Sequence, residues 1–206
     1  MSESPPETRH LEMELTFHLV PIDGADPAMR LASKGDWKGS LAYSRKVAAC
    51  AETEFGKGNA EVLPHAQRIA MALVALGEFE EAARCMRHVV EVSSRAFGSD
   101  SLVTAKYSSD LGNILFRFSA WDEAEAIFRH VMKLREAQLG LRHADTVSVY
   151  NCLGCCLVSA GKLAEGKDLI SRAWEIGQEI LGPDHANTRA SRRNLAALGV
   201  LDLPVN

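Results

Sequence analysis

Apolar and small side chains recur along the chain at i, i+3, i+4 and i+7, as in Ala66, Ile69, Ala70 and Leu73, and in Trp121, Ala124, Phe128, Val131 and Leu134. That period marks helices with one buried face. It predicts a first set of helices near 60–76, 102–118, 144–160 and 186–200, and a second set near 37–54, 79–96, 121–138 and 163–180. Turns of two or three residues join first to second, which forces antiparallel hairpins. The pattern repeats every 42 residues: Phe55-Gly56, Phe97-Gly98, Leu139-Gly140 and Leu181-Gly182 stand in one register. Thr104, Thr146 and Thr188 share a column, as do Ile69, Leu111, Leu153 and Leu195. Gly35, Gly77, Ser119 and Gly161 form a turn column, followed by Trp37, Phe79, Trp121 and Leu163. Gly112 and Gly154 fall in helix interiors, where each costs about 1 kcal/mol against Ala. Close approach to the small column Ala82, Ala124 and Gly166 accounts for that cost, with local flexibility as the alternative. Ser99, Asp100 and Asp184 are the expected helix-starting residues.

The repeats are expected at about 26–55, 56–97, 98–139 and 140–181, with a final helix over 182–200. The first is worn, its first helix cut to about Pro27–Ser33. The last helix carries Leu195, Leu198, Val200, Leu201 and Leu203, more apolar surface than one neighbour should bury. A cut end, a self-association face and a docking face for another subunit remain open, and an assembly face is favoured. Residues 1–9 are polar and expected to be disordered. Leu11, Met13, Leu15, Phe17 and Leu19 alternate with polar residues, a strand signal, while Leu11, Leu15 and Leu19 also fit a helix. An extended arm lying along the first helices is the other reading.

Composition narrows the class. Aromatic residues are 6% and prolines 7, which favours an all-α chain over a β-sandwich. The formal charge of −4 argues against nucleic acid as partner. No apolar run approaches the ~20 residues of a membrane helix, and the acidic start has no signal-peptide core. Five cysteines, an odd number, read as reduced thiols in a cytoplasmic compartment.

Candidate chemistry is thin. Cys152, Cys155 and Cys156 form a C-x2-C-C cluster inside a first helix, without the second ligand pair that a structural zinc needs. Buried thiols are the better reading, with Cys155 accessible from the inner face. His143 and His185 share a column before a first helix and have no nucleophile or carboxylate named by a motif. No phosphate loop, dinucleotide fingerprint or zinc-protease motif is present. The chain is therefore read as non-catalytic, without metal or cofactor.

The hairpin, with small–Leu in its first helix and Gly-x-aromatic-x-x-Ala opening its second, resembles the tetratricopeptide repeat (TPR). The 42-residue period is similar to that of kinesin light chains. The stretch from Ala173 to Thr188, continuing to Asn194, Leu195 and Ala196, resembles the light-chain pattern A-x-E-I-…-LGPDHP-x-T-…-NNLA, with Ala186 for the family's Pro and Arg193 for its first Asn. The resemblance covers about 26–206 and implies a right-handed α-solenoid, a superhelix of antiparallel hairpins with the first helices inside. It implies a structural role for His143 and His185 in the inter-repeat turn. Kinesin binding is not implied, because no sustained heptad coiled coil is present.

Helical stepping from Ala70, Gly112, Gly154 and Ala196 places Gln67, Lys106, Ser109, Asn113, Phe116, Arg117, Asn151, Cys155, Arg189 and Arg193 on or beside the concave surface. Amides there suit an extended peptide backbone. The cations bias the surface toward acidic segments, tempered by Asp110. In light chains the same surface takes acidic, aromatic-containing peptides, which the resemblance extends to this chain. The chaperone-type dicarboxylate clamp is incomplete, with Gln67 and Met71, or Ser109 and Asn113, where Lys and Asn are wanted. The expectation is a scaffold binding an extended peptide. The alternative is an assembly subunit, as a homodimer or within a larger complex, whose first-helix faces are merely solvated.

Overall fold

The computed structural model describes residues 26–56 and 58–201. The 11–19 segment and Leu203 lie outside the described residues. Among those residues the chain forms helices α1 (Pro27–Ser33), α2 (Trp37–Phe55), α3 (Leu63–Ala75), α4 (Phe79–Phe97), α5 (Leu102–Arg117), α6 (Trp121–Leu139), α7 (Ala144–Ser159), α8 (Leu163–Ile180) and α9 (Ala186–Ala197), and no strand. The helices α2, α4, α6 and α8 start one 42-residue period apart, as do α5, α7 and α9. The exception is α3. Its expected first turn is a 3-10 turn at Ala60–Val62. Pro64 is the cause: it has no N–H for the Ala60 carbonyl, and its ring crowds that oxygen.

The first helices begin at one column of capping side chains. Asn59, Ser101, His143 and His185 each accept a backbone N–H two or three residues on, from Glu61 at 3.0 Å, Thr104 at 3.1 Å, Asp145 at 3.1 Å and Asn187 at 3.2 Å. The expectation that Ser99, Asp100 and Asp184 start these helices is thereby corrected. The caps lie one or two residues later, and two of them are imidazoles whose Nδ1 lone pair is the acceptor. Thr104 and Thr146 then clip the preceding loop, donating to the Gly98 and Gly140 carbonyls at 2.8 and 2.9 Å. In the hairpin turns, Gly35, Gly77 and Gly161 take φ near +80°, and Ser119 adopts φ 60 in the same column. A Cβ there is unfavourable, which is why glycine recurs.

Packing divides the described chain into two compact units, one through Ile127 and one from Phe128. In the first, α1 packs on α2, α2 on α3, α3 on α4 and α4 on α5. Leu73, Met86, Val89, Ile114 and Leu115 are its most buried large side chains. In the second, α7 packs on α8 and both meet α9. Phe128, Tyr150, Leu153, Leu157, Ile170 and Leu195 are fully buried there. The close approach expected of the small columns occurs between α7 and α8. A Cβ on Gly154 would lie 2.8 Å from the Gly166 carbonyl oxygen, and a Cβ on Gly166 would lie 2.7 Å from that of Gly154.

Consecutive second helices are stitched by a periodic ion pair. Arg45–Glu81 (2.6 Å), Arg87–Glu123 (2.8 Å) and Arg129–Glu165 (2.7 Å) occupy one Arg column and one Glu column. Arg87 and Glu123 meet as a two-pronged fork, with Nε and Nη2 each donating to a carboxylate oxygen. These pairs are solvent-exposed, so each contributes only about 0.2–1 kcal/mol.

Candidate peptide-binding face

The first helices carry the polar residues expected to hold a peptide, and half of them are used inside the protein. Gln67 on α3 is 1% exposed and donates to Asp110 on α5 at 2.5 Å. In the other unit, Asn194 on α9 donates both to Asn151 on α7, at 3.0 Å, and to the Cys155 sulfur, at 3.1 Å. Both amide pairs join residues 43 apart, one period plus one. Arg68 on α3 makes a third link, to Asp26 at 2.9 Å, with both side chains 8% exposed. The buried seam between neighbouring first helices is thus polar and paired across the repeats. Gln67, Asn151 and Cys155 are corrected from a peptide-facing surface to this seam. Asp110 is likewise buried, and does not temper the charge of an open face.

Ser109 is buried and returns its hydroxyl to the Ala105 carbonyl at 2.9 Å. Asn113 is buried, and among the described residues its side-chain oxygen has no hydrogen-bond partner. Lys106 and Phe116 are half-buried, while Arg117, Arg189 and Arg193 are exposed. Arg117 lies over the Phe79 ring, 5.5 Å from its centroid, and ties the end of α5 to the start of α4. Five of the ten expected residues therefore keep substantial water-facing surface.

Tetratricopeptide repeat models match residues 63–137 and 146–187, together more than half of the chain. The chain belongs to the tetratricopeptide repeat family. Solved structures share the fold. One holds the nearly identical TPR-like repeats assigned to a kinesin light chain of Podosopora anserina; it is 19% identical, covers 84% of this chain and 83% of that one, and has a TM-score of 0.72. BtubC (BKLC) from P. vanneervenii is 19% identical over 84% of this chain and 70% of its own, with a TM-score of 0.71. MamA 41-end from Desulfovibrio magneticus RS-1 is 16% identical over 84% and 90%, with a TM-score of 0.52. No curated protein matches the chain. The all-α TPR-like solenoid expected from the sequence is the fold class of this protein, and its repeats are kinesin light chain-like. Such a fold is a protein-interaction scaffold.

The last helix of this TPR protein departs from its expected character. Val147 and Tyr150 are buried on α7, and one period later the same positions of α9 are Arg189 and Arg192, both exposed. Leu195, expected on an assembly face, is 0% exposed. Leu198 and Leu201 are half-buried, and Val200 is 44% exposed. The apolar surplus expected of this helix shrinks to its tip, because Leu195 is buried against its neighbours. Sequence reasoning missed Arg192 and Asn194; the signal for the second was its 43-residue spacing from Asn151.

Cys155, Cys156, His143 and His185 are buried or occupied, whereas Cys50 is exposed. Burial pushes the Cys155 thiol well above its ordinary value, so it stays protonated, and the expected accessibility is corrected. Cys85 is pushed up to about 11 by burial and by the neighbouring Glu81 carboxylate. His143 and His185 serve as helix caps. Among the described residues, no three His, Cys, Asp or Glu side chains cluster as a metal site. No described helix is long and apolar enough to cross a membrane.

Proposed function

We propose that this TPR protein is a non-catalytic scaffold that holds an extended, acidic peptide segment on the accessible faces of its first helices. The observation that carries the reading is α9. Between Ala186 and Ala197 it has no acidic residue, and Arg189, Arg192 and Arg193 all reach solvent. This cationic face stands on a chain whose formal charge is −4. In the unit through Ile127, Lys106, Phe116 and Arg117 are the corresponding accessible candidates, with the unpartnered Asn113 oxygen beside them in sequence. The light-chain likeness supports a peptide ligand, and the buried Cys155 and Cys156 with the capping imidazoles support the absence of catalysis. Five free thiols support a cytoplasmic compartment.

The test is fluorescence anisotropy with labelled extended peptides carrying Asp, Glu and one aromatic residue. Arg189→Glu with Arg193→Glu should weaken binding at least about tenfold, roughly 1.4 kcal/mol, and added salt should weaken the unmodified protein. Equal affinity in the double variant would remove the reading. Asn151→Ala is a poor probe, since it breaks a buried seam. The assembly reading rests on Val200 with Leu198 and Leu201. Light scattering showing a dimer that dissociates in Val200→Asp would favour it.

A further inference from the structure

The fourth hairpin shows what one position in this repeat is built to hold. Tyr150 on α7 is fully buried, and its hydroxyl donates to Glu136 Oε1 at 2.6 Å. Arg172 lies over its ring, 4.9 Å from the centroid. Met132, Leu169 and Ile176 pack against the cluster it belongs to. Two periods earlier, every one of these residues has a counterpart around a cavity of about 140 Å³ between α2, α3 and α4. Ala66 stands for Tyr150, Glu52 for Glu136, His88 for Arg172, Ala48 for Met132, Cys85 for Leu169 and Val92 for Ile176. The carboxylate acceptor is kept and His88 stands where Arg172 does, whereas the walls are smaller and the phenol itself is truncated to a methyl group. The cavity is the room that a tyrosine ring occupies elsewhere in the same protein.

We propose that this cavity binds a phenol ring, with the hydroxyl donated to the Glu52 carboxylate. The size fits, since an apolar cavity of about 150 Å³ accepts benzene. The polarity selects a donor-bearing ring. The Cys85 thiol is spent on the Ala66 carbonyl at 3.3 Å. The Asn59 side chain is spent on Glu61 N–H and the Phe55 carbonyl. His88 Nδ1, also on the lining, faces Glu91 at 3.9 Å. Glu52 is the carboxylate that lines the cavity, and a carboxylate accepts strongly from a phenol. The ring can come from a free phenol or from a tyrosine side chain. The inference is independent of the acidic-peptide reading, which uses other residues.

The experiment is methyl NMR and calorimetry of the full chain with p-cresol, toluene and N-acetyltyrosinamide. p-Cresol should shift the Val92 methyl signals and bind about tenfold tighter than toluene, the advantage of one charge-assisted hydrogen bond. Glu52→Leu should erase that preference. Ala66→Tyr should fill the cavity and abolish binding, and Ala48→Met does the same from the opposite wall should Ala66→Tyr fail to fold. N-acetyltyrosinamide binding as well assigns the site to a side chain, and p-cresol alone assigns it to a free phenol. No binding of p-cresol at millimolar concentration, toluene binding as tightly, or binding unchanged by both cavity-filling variants would overturn the proposal.

Discussion

Gly154→Ala and Gly166→Ala should destabilise the second unit, although alanine is the better helix former by about 1 kcal/mol. On Gly154 the added Cβ would sit 2.5 Å from Ile170 Cγ1, 2.8 Å from the Gly166 oxygen and 3.2 Å from the Ile170 nitrogen. On Gly166 it would sit 2.6 Å from Val158 Cγ2, 2.7 Å from the Gly154 oxygen and 2.9 Å from the Val158 nitrogen. Carbon atoms prefer about 3.5–4.0 Å, so α7 and α8 must part by the better part of an ångström. Rotamer changes cannot relieve contacts to backbone, and Ile170 is 0% exposed with no room to swing. Overpacking of this kind costs about 1–3 kcal/mol. With backbone on both sides the upper half of that range applies, leaving each variant about 1–2 kcal/mol less stable after the helix gain. Gly177→Ala is the control. Its Cβ meets Thr188 Oγ1 at 2.9 Å but backbone only at 3.6 Å, so the two effects should nearly cancel. Urea unfolding followed by far-UV circular dichroism checks all three. The double variant should lose less than the sum, because one separation of the helices relieves both clashes. A Gly154→Ala protein as stable as the parent would refute the close-packing account.

Asp26→Ala should cost about 3–5 kcal/mol by stranding the buried Arg68, and more by removing the α1 cap at Ala28 N–H, 2.9 Å away. Asp26→Asn, which keeps a capping oxygen, should recover part of the loss in the same urea experiment. The Arg87 fork holds the Glu123 carboxyl below its ordinary value. The stability this pair contributes is therefore complete above the ordinary value of 4.5 and fades as pH falls through the lowered one. Both side chains are near 45% exposed, which limits the effect to under about 1 kcal/mol. An Arg87→Ala, Glu123→Ala double-mutant cycle at two pH values measures it. Coupling that persists unchanged at acid pH would contradict the assignment.

The helices and their spacing were legible because they rest on columns where size is constrained. Gly154, Gly166 and the turn glycines announce close approach and positive φ whatever surrounds them. The consequence of Pro64 at Ala60 follows from one hydrogen bond rather than from a period, so the columns do not announce it. The inner face was misread for a specific reason. Helical stepping puts Gln67 and Asn151 on the inner face, yet each has an amide or carboxylate partner one period plus one away. Pairwise satisfaction between distant positions hides a buried polar seam from any reading that scores residues singly. The imidazole caps were missed similarly, since the usual cap residues are Ser, Thr, Asp and Asn. Arg192 is found by extending the Tyr150 column one period further.

The two kinds of inter-repeat contact divide the work of holding neighbours together. Leu73, Leu115 and Leu157 supply burial within their own units, but apolar contact is non-directional. A helix sliding by a turn would exchange one apolar neighbour for the next at small cost. The seam does not permit that exchange. Sliding α5 along α3 would leave Gln67 and Asp110 buried without each other, and sliding α9 along α7 would separate Asn194 from Asn151. Each orphaned buried polar group costs about 1–3 kcal/mol, more where a charge is involved. Register is thus written in the polar pairs and stability in the apolar ones. It follows that replacing Asn151 and Asn194 together by leucines should leave stability nearly unchanged while loosening α9. Faster amide exchange in α9 at unaltered unfolding free energy is the expected sign, and exchange that stays as slow as in the parent would mean that the apolar columns alone set the register.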